Sequence, residues 1–162
     1  MDHPNVLCNH VTKEASFLVN AAPDVAFPLF TPIEEMKWAD GWHPEILYSD
    51  EHQMHEGMVF RTPGHFLQEA HYHWIVSKYM PEKYQIEYTV STANRYWVIK
   101  VRCEAADDHS TKATVRYTYT GFNELGNKLN EKAIHKMFEH NLNDWAEAIN
   151  YYLITGKLLK NH

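Results

Sequence analysis

Two periods divide the chain. From 45 to 122 apolar and polar residues alternate, the spacing of strands with one buried face, whereas from 124 to about 154 apolar residues recur every three or four positions, as on one face of a helix. The alternating region is broken at "MPEK", "STAN" and "ADDHST", which have the length and residue types of hairpin turns. It predicts strands over 46–49, 58–62, 68–79, 84–92, 96–105 and 113–121, an antiparallel meander. Upstream, "VTKEASFLVN" predicts a first strand over 11–20. Two short helices follow it. "APDVAFPLF" opens with Pro23 and Asp24 and is interrupted at Pro28, and "TPIEEMKW" has Thr31, Pro32 and Glu34 in the arrangement of a capping box and ends at Asp40 and Gly41.

The last segment has no proline, and its one internal glycine, Gly126, lies near its start. It predicts one long helix with Ile134, Met137, Phe138, Leu142, Trp145, Ala148, Ile149 and Tyr152 on one face, Lys136, Glu139, Asn143 and Glu147 opposite, and Gly156 placed to stop it. Asn141 falls near the centre of the apolar stripe, where an unpaired amide costs roughly 1–3 kcal/mol. It therefore has a partner there: a neighbouring tyrosine or backbone group, or a ligand that it orients. The element order predicts an α+β fold in which a curved antiparallel sheet of about seven strands wraps around the long C-terminal helix and the two short helices after strand 1 bridge one end. A straight helix does not fill the whole concavity of a bent sheet, so a cavity is expected between them.

Alternation assigns the inward faces: Ala70, Tyr72, Trp74 and Val76; Tyr84, Ile86, Tyr88 and Val90; Trp97, Ile99, Val101 and Cys103; Ala113, Val115, Tyr117 and Tyr119. Such rings serve as core or as the lining of a cavity, and buried phenols need hydrogen-bond partners that a ligand or water can supply. Beside the Asp40–Gly41 turn stand Trp38, Trp42 and His43. Trp38 reads as core and Trp42 as the better ligand contact.

Composition narrows the function. A chain of 162 residues, 44% hydrophobic and 14% aromatic, fits one folded domain over 1–162. Its net charge of −6, from 15 basic and 21 acidic residues without a basic run, argues against nucleic acid or an anionic membrane as partner. No window reaches membrane-spanning length and the first residues do not read as a leader. Cys8 and Cys103 are distant from each other, the usage of a reducing compartment, so the expected location is the cytoplasm, with a homodimer left open.

Twelve histidines raise metal chemistry. In "EAHYH", Glu69, His71 and His73 share a strand face, but that face is opposite Tyr72 and Trp74 and is expected to meet solvent; "HQMH" at 52–55 is weaker. The sequence has no metalloprotease, nucleophile-elbow or phosphate-loop motif, so neither metal nor cofactor is expected. Proton exchange with a ligand falls to His43, His65 or Tyr117, which form no recognisable pair.

The element order, together with "NAAPDVAFPLFTPIEEMKWADGW", "HWIVSKYMPEKYQIEY", "TKATVRYTYTGF" and "LNDWAEAINYYL", resembles the START-like superfamily of polyketide cyclases/dehydratases, lipid-transfer domains and birch-pollen-allergen-like proteins over nearly the whole chain. The resemblance implies the helix-grip fold, an apolar ligand and an entrance near Trp42 and His43. The resulting expectation is a soluble protein holding an aromatic, polyketide-like or acyl ligand between sheet and helix. Its contacts are Trp42, His43, Tyr72, Trp74, Tyr88, Trp97, Tyr117, Tyr119, Met137, Asn141 and Trp145. A cyclase/dehydratase-like enzyme using the same cavity is the alternative, and a co-chaperone-like interaction domain a third.

Overall fold

The computed structural model describes residues 9–51 and 53–160, so Cys8, His52 and the expectation of no leader segment lie outside the described residues. In chain order it contains β1 (His10–Val19), α1 (Pro23–Ala26), 3-10 turns at Phe27–Phe30 and Glu34–Lys37, and β2 (Glu45–Tyr48). There follow β3 (Val59–Phe66), β4 (Glu69–Met80), a 3-10 turn at Pro81–Lys83, β5 (Gln85–Ser91), β6 (Arg95–Asp107), β7 (Ser110–Gly121), α2 (Glu124–Met137) and α3 (Asn143–Thr155).

The sheet runs β1-β7-β6-β5-β4-β3-β2, every neighbour antiparallel. The first strand thus pairs with the last, through contacts such as Ala15 opposite Val115, while the hairpin strands pair in sequence order. Pairing shifts register between Ile46 and Tyr48, Pro63 and Phe66, Val76 and Lys78, and Ala105 and Asp107. Such irregularities bend a strand and deepen its twist, which curves the sheet. Its concave face carries the expected rows: Tyr72 and Val76 on β4, Ile86, Tyr88 and Val90 on β5, Trp97, Ile99, Val101 and Cys103 on β6, and Ala113, Val115, Tyr117 and Tyr119 on β7 are all buried.

Three expectations are corrected. The C-terminal helix is two helices. Asn123 caps α2 by accepting the Gly126 N–H at 2.8 Å, and α2 packs on β7 and β6 as far as Met137. The chain then turns through 138–142, with Asn141 at φ 51° and Leu142 at φ 62°, and α3 packs on β1. The break places Leu142, with no exposed surface, in the interior and leaves Asn141 exposed to solvent, so Asn141 is not on the cavity wall. Burying a leucine is worth about 1.5–3 kcal/mol. A left-handed non-glycine residue costs roughly 1–2 kcal/mol, least for asparagine. Two such residues together cost about as much as the burial of Leu142 returns, so burial offsets the strain. The apolar period conceals the break because both helices keep their own apolar faces inward.

The capping box at Thr31 does not form: the Thr31 hydroxyl donates back to the Pro28 carbonyl at 2.7 Å, and Glu34–Lys37 has no side-chain cap. The third correction concerns the start of β4. Glu69 is buried and Ala70 exposed, the reverse of the expected phase. The register shift in the β3–β4 pairing lies at this end, and a buried cation on β6 holds the carboxylate inside. Alternation holds from Tyr72 to Val76 and is interrupted again at the register shift before Lys78.

Candidate functional site

The concave face holds two unlike neighbourhoods. The larger is aromatic. Phe60 stacks on Trp74 with ring centres 5.2 Å apart, and Trp42 stands edge-on to Trp74 at 5.3 Å. Trp38 meets Trp145 at 5.8 Å and Phe30 at 6.2 Å, and Tyr117 meets Phe138 edge-on at 5.7 Å. Edge and offset contacts at these distances are the favourable geometries of aromatic quadrupoles. The chain itself satisfies most of the polar atoms on these rings. The Trp38 and Trp42 indoles donate to the Leu29 and Pro32 carbonyls, both at 2.7 Å, Trp74 donates to the Thr62 hydroxyl at 3.0 Å, and Tyr88 donates to the Phe30 carbonyl at 2.6 Å. The irregular segment after β1 thus supplies acceptors that a regular helix would have consumed internally.

Glu35 differs from its surroundings. It belongs to the 3-10 turn Glu34–Lys37 and is partly buried. The electrostatic neighbours of its carboxyl group are the Tyr88 and Tyr117 hydroxyls, which belong to the sheet's inner face. Burial among apolar groups holds Glu35 well above the usual carboxylate range, because a desolvated carboxyl group resists ionisation. Desolvation, with Glu35 contributing, likewise pushes the Tyr88 and Tyr117 phenols up. Among the described residues no hydrogen bond joins the Glu35 carboxyl group or the Tyr117 or Tyr119 hydroxyl to another group, and none of these atoms is among those sealed off without a partner, so each still borders open space. The interior therefore presents one carboxyl group that resists ionisation and two phenols, all with unused hydrogen-bonding capacity.

The second neighbourhood is a charged cluster near the β3–β4 turn. Arg95 and Glu69, each with a side chain 1% exposed, form a forked pair, Nη2 to Oε1 at 2.8 Å and Nε to Oε1 at 3.0 Å. The Thr92 hydroxyl donates to the other carboxylate oxygen. Arg95 also donates to Tyr72 Oη at 3.1 Å and Asn130 Oδ1 at 3.2 Å, and its guanidinium lies 4.5 Å from the centre of the Trp97 ring. His65 donates its backbone N–H to the same Tyr72 oxygen at 3.2 Å. Desolvation, then Lys136 and Arg95, lowers the pKa of the His65 ring.

The sequence match and the structural likeness agree. A family model described as polyketide cyclase / dehydrase and lipid transport matches residues 10–149. The chain belongs to that family. Among solved structures it is similar to norcoclaurine synthase from Thalictrum flavum, 14% identical with a TM-score of 0.68 over 94% of this chain and 99% of that one. It is similar also to Ara h 8.0201 (17% identity, TM-score 0.66, 91% and 99% covered) and to Zhui aromatase/cyclase from Streptomyces sp. R1128 (12%, 0.64, 88% and 93%). At these identities the likeness shows the shared helix-grip fold. No curated protein matches the sequence. Among the described residues no helix is long and apolar enough to cross a membrane.

For a member of this family the expected contacts fall into three groups. Trp42, Trp74, Tyr88, Tyr117 and Trp145 gather in the aromatic neighbourhood, Tyr119 stacks between Tyr117 and Trp97, and Met137 is half-buried against the same core. Tyr72 and Trp97 belong instead to the charged cluster, and their polar or π faces are occupied by Arg95. His43 and Asn141 are exposed. Glu69 turns in to Arg95 while His71 and His73 stay exposed, so these three do not share a face. Cys103 is a free, buried thiol pushed up to about 12 by desolvation.

Glu35, Arg95 and Asn130 were not anticipated. Arg95 had a signal, since it shares the inward parity of Trp97, Ile99 and Val101 and so stands on the buried face of its strand. Glu35 lies three residues before the buried Trp38, the spacing of one helical face.

Proposed function

We propose that the protein binds a small apolar molecule, aromatic, polyketide-like or acyl, in the interior between the concave face of the sheet and the helices. The observation that carries this reading is the aromatic concave face, on which the Glu35 carboxyl group and the Tyr117 and Tyr119 hydroxyls have no hydrogen-bond partner among the described residues and are not sealed off. A carboxyl group that resists ionisation, in a family described by cyclases and lipid transport, is suited to donate a hydrogen bond to a ligand oxygen. A related fold, norcoclaurine synthase, is known in complex with dopamine and hydroxybenzaldehyde, which are ring compounds bearing oxygen.

A cyclase or dehydratase reading uses the same interior, with Glu35 rather than His43 or His65 as the group that exchanges a proton. We place the protein in the cytoplasm as one domain over 1–162, acting alone or as a homodimer, with the small molecule rather than nucleic acid as its partner. Native mass spectrometry of freshly purified protein tests the binding reading. An organic adduct lost on unfolding is expected, and oxygen-bearing ring compounds should quench emission from Trp38, Trp74 and Trp145. Absence of an adduct, together with unchanged emission across aromatic and acyl probes, would overturn it.

A further inference from the structure

On the opposite, convex face of the sheet the strands bring together charges that lie far apart in the sequence. Cross-strand pairing lines up Glu14 on β1, Arg116 on β7, Lys100 on β6, Glu87 on β5 and Lys78 on β4, and Arg102 stands two residues beyond Lys100 on the same face. These six side chains line a depression with a volume of about 160 Å³. Val101, between Lys100 and Arg102, is buried on the concave side, so the sheet itself separates the depression from the interior.

The charges of this row are poorly matched. Arg116 reaches Glu14 at 3.3 Å and Lys78 reaches Glu87 at 3.8 Å, both longer than a good charge-assisted hydrogen bond. Lys100 and Arg102 are exposed and, among the described residues, neither side chain forms an ion pair or a hydrogen bond. Glu87, opposite Lys100 on one side, pairs with Lys78 instead. On the other side Arg116 lies directly opposite Lys100 and diagonal to Arg102, and like charges so placed on a sheet repel. Four cations against two carboxylates leave an excess of two positive charges, in a chain whose net charge is −6.

The chemistry that fits this excess is a compact dianion. One doubly charged group between Lys100, Arg102 and Arg116 cancels it, and a guanidinium fork matches the oxygens of a phosphate bidentately. A polyanion does not fit, because Glu14 and Glu87 flank the three cations along the row and a second phosphate would meet a carboxylate. A monocarboxylate leaves one positive charge unmatched. We infer that the convex-face depression is an anion site for a small phosphate monoester or inorganic phosphate, whose dianionic group accepts from Lys100 Nζ and from the Arg102 and Arg116 guanidinium groups. The site is separate from the interior and from any ligand or reaction there.

The test uses the full chain at low ionic strength with methyl phosphate, inorganic phosphate and acetate, none of which carries an apolar body suited to the interior. In NMR titrations at pH 7.5 both phosphates should move the backbone amide signals of 100–102 and 114–116 and the Nε–H signals of Arg102 and Arg116. Acetate should bind at least about tenfold more weakly. The tighter of the two phosphates tells whether the site reads an ester or the free ion. No histidine lines the depression, so the fall in affinity expected below about pH 6 follows the phosphate's own second ionisation. The double change Lys100→Gln with Arg102→Gln alters exposed side chains only and should weaken methyl phosphate binding at least about tenfold. The charge-matched change Lys132→Gln with Lys157→Gln, on α2 and just beyond α3, should leave it intact. Equal loss in the two double variants, acetate binding as tight as that of the phosphates, or shifts scattered over the surface lysines would overturn the proposal.

Discussion

At the Arg95 end of the concave face each charge meets a partner supplied by the chain, whereas at the Glu35 end a partly buried acid that resists ionisation has no hydrogen-bond partner among the described residues. Both ends bury ionisable groups in a low-dielectric interior, yet substitutions at the two should have opposite signs. Removing one member of a satisfied pair strands the other, and removing an unsatisfied acid relieves a cost. The charged end is thus built to be stable as it stands. The aromatic end keeps hydrogen-bonding capacity in reserve for a ligand.

The largest expected effect is at the charged end. Arg95→Met should cost about 3–5 kcal/mol in urea unfolding, because it leaves the Glu69 carboxylate buried and uncompensated, and adding Glu69→Leu should restore most of that loss. A small effect of the single change would make the pair dispensable and weaken the contrast between the two ends.

Glu35→Gln should act in the other direction. The folded protein holds the Glu35 proton more tightly than the unfolded chain, whose carboxyl group titrates near 4.5. The unfolded state therefore binds fewer protons at this site, and stability falls as pH rises from about 4.5 through the raised folded value. The variant should match the native protein at pH 4 and melt at a higher temperature at pH 8. A lower melting temperature at pH 8 would mean that Glu35 is ionised and paired.

The phenols sharpen the comparison within the aromatic end. Tyr88→Phe strands the Phe30 carbonyl and should cost about 1 kcal/mol. Tyr117→Phe removes a hydroxyl without a hydrogen-bond partner among the described residues, so stability should hold or rise while affinity for oxygen-bearing ring ligands falls. Equal costs for both, by chemical denaturation, would remove the argument for a reserve donor.

The smallest effect tests the helix break. Asn141→Gly in the left-handed turn should be neutral or stabilising by roughly 0.5 kcal/mol. The same change inside a continuous helix costs about 1 kcal/mol, so the sign alone distinguishes the two structures.

The strand boundaries and inward rows were legible because alternation is a local property: a residue's parity sets its face wherever the pleat is regular, as from Ile86 to Val90 and from Val115 to Tyr119, whereas Tyr84, expected at the start of the inward row, takes left-handed backbone before β5 begins. The positions of Trp74, Tyr88, Tyr117 and Trp145 in the interior follow from that parity or from helical phase. Parity fails at Glu69, where the register shifts, and helical phase fails at Asn141, where two non-glycine residues take left-handed backbone without a glycine or proline to announce it.

By itself, then, the sequence determined the order of elements, the closing of the sheet's interior by aromatic rows, and membership of the helix-grip class, since each rests on periods of a few residues. Tertiary structure alone decided which polar groups meet. Arg95 finds Glu69 across 26 residues and Asn130 across 35, and Glu35 comes to Tyr88 and Tyr117 from a turn with no regular period. These encounters depend on sheet curvature and on the bend at 138–142. Both arise from the balance of burial against backbone strain over the whole fold, and no local spacing records that balance.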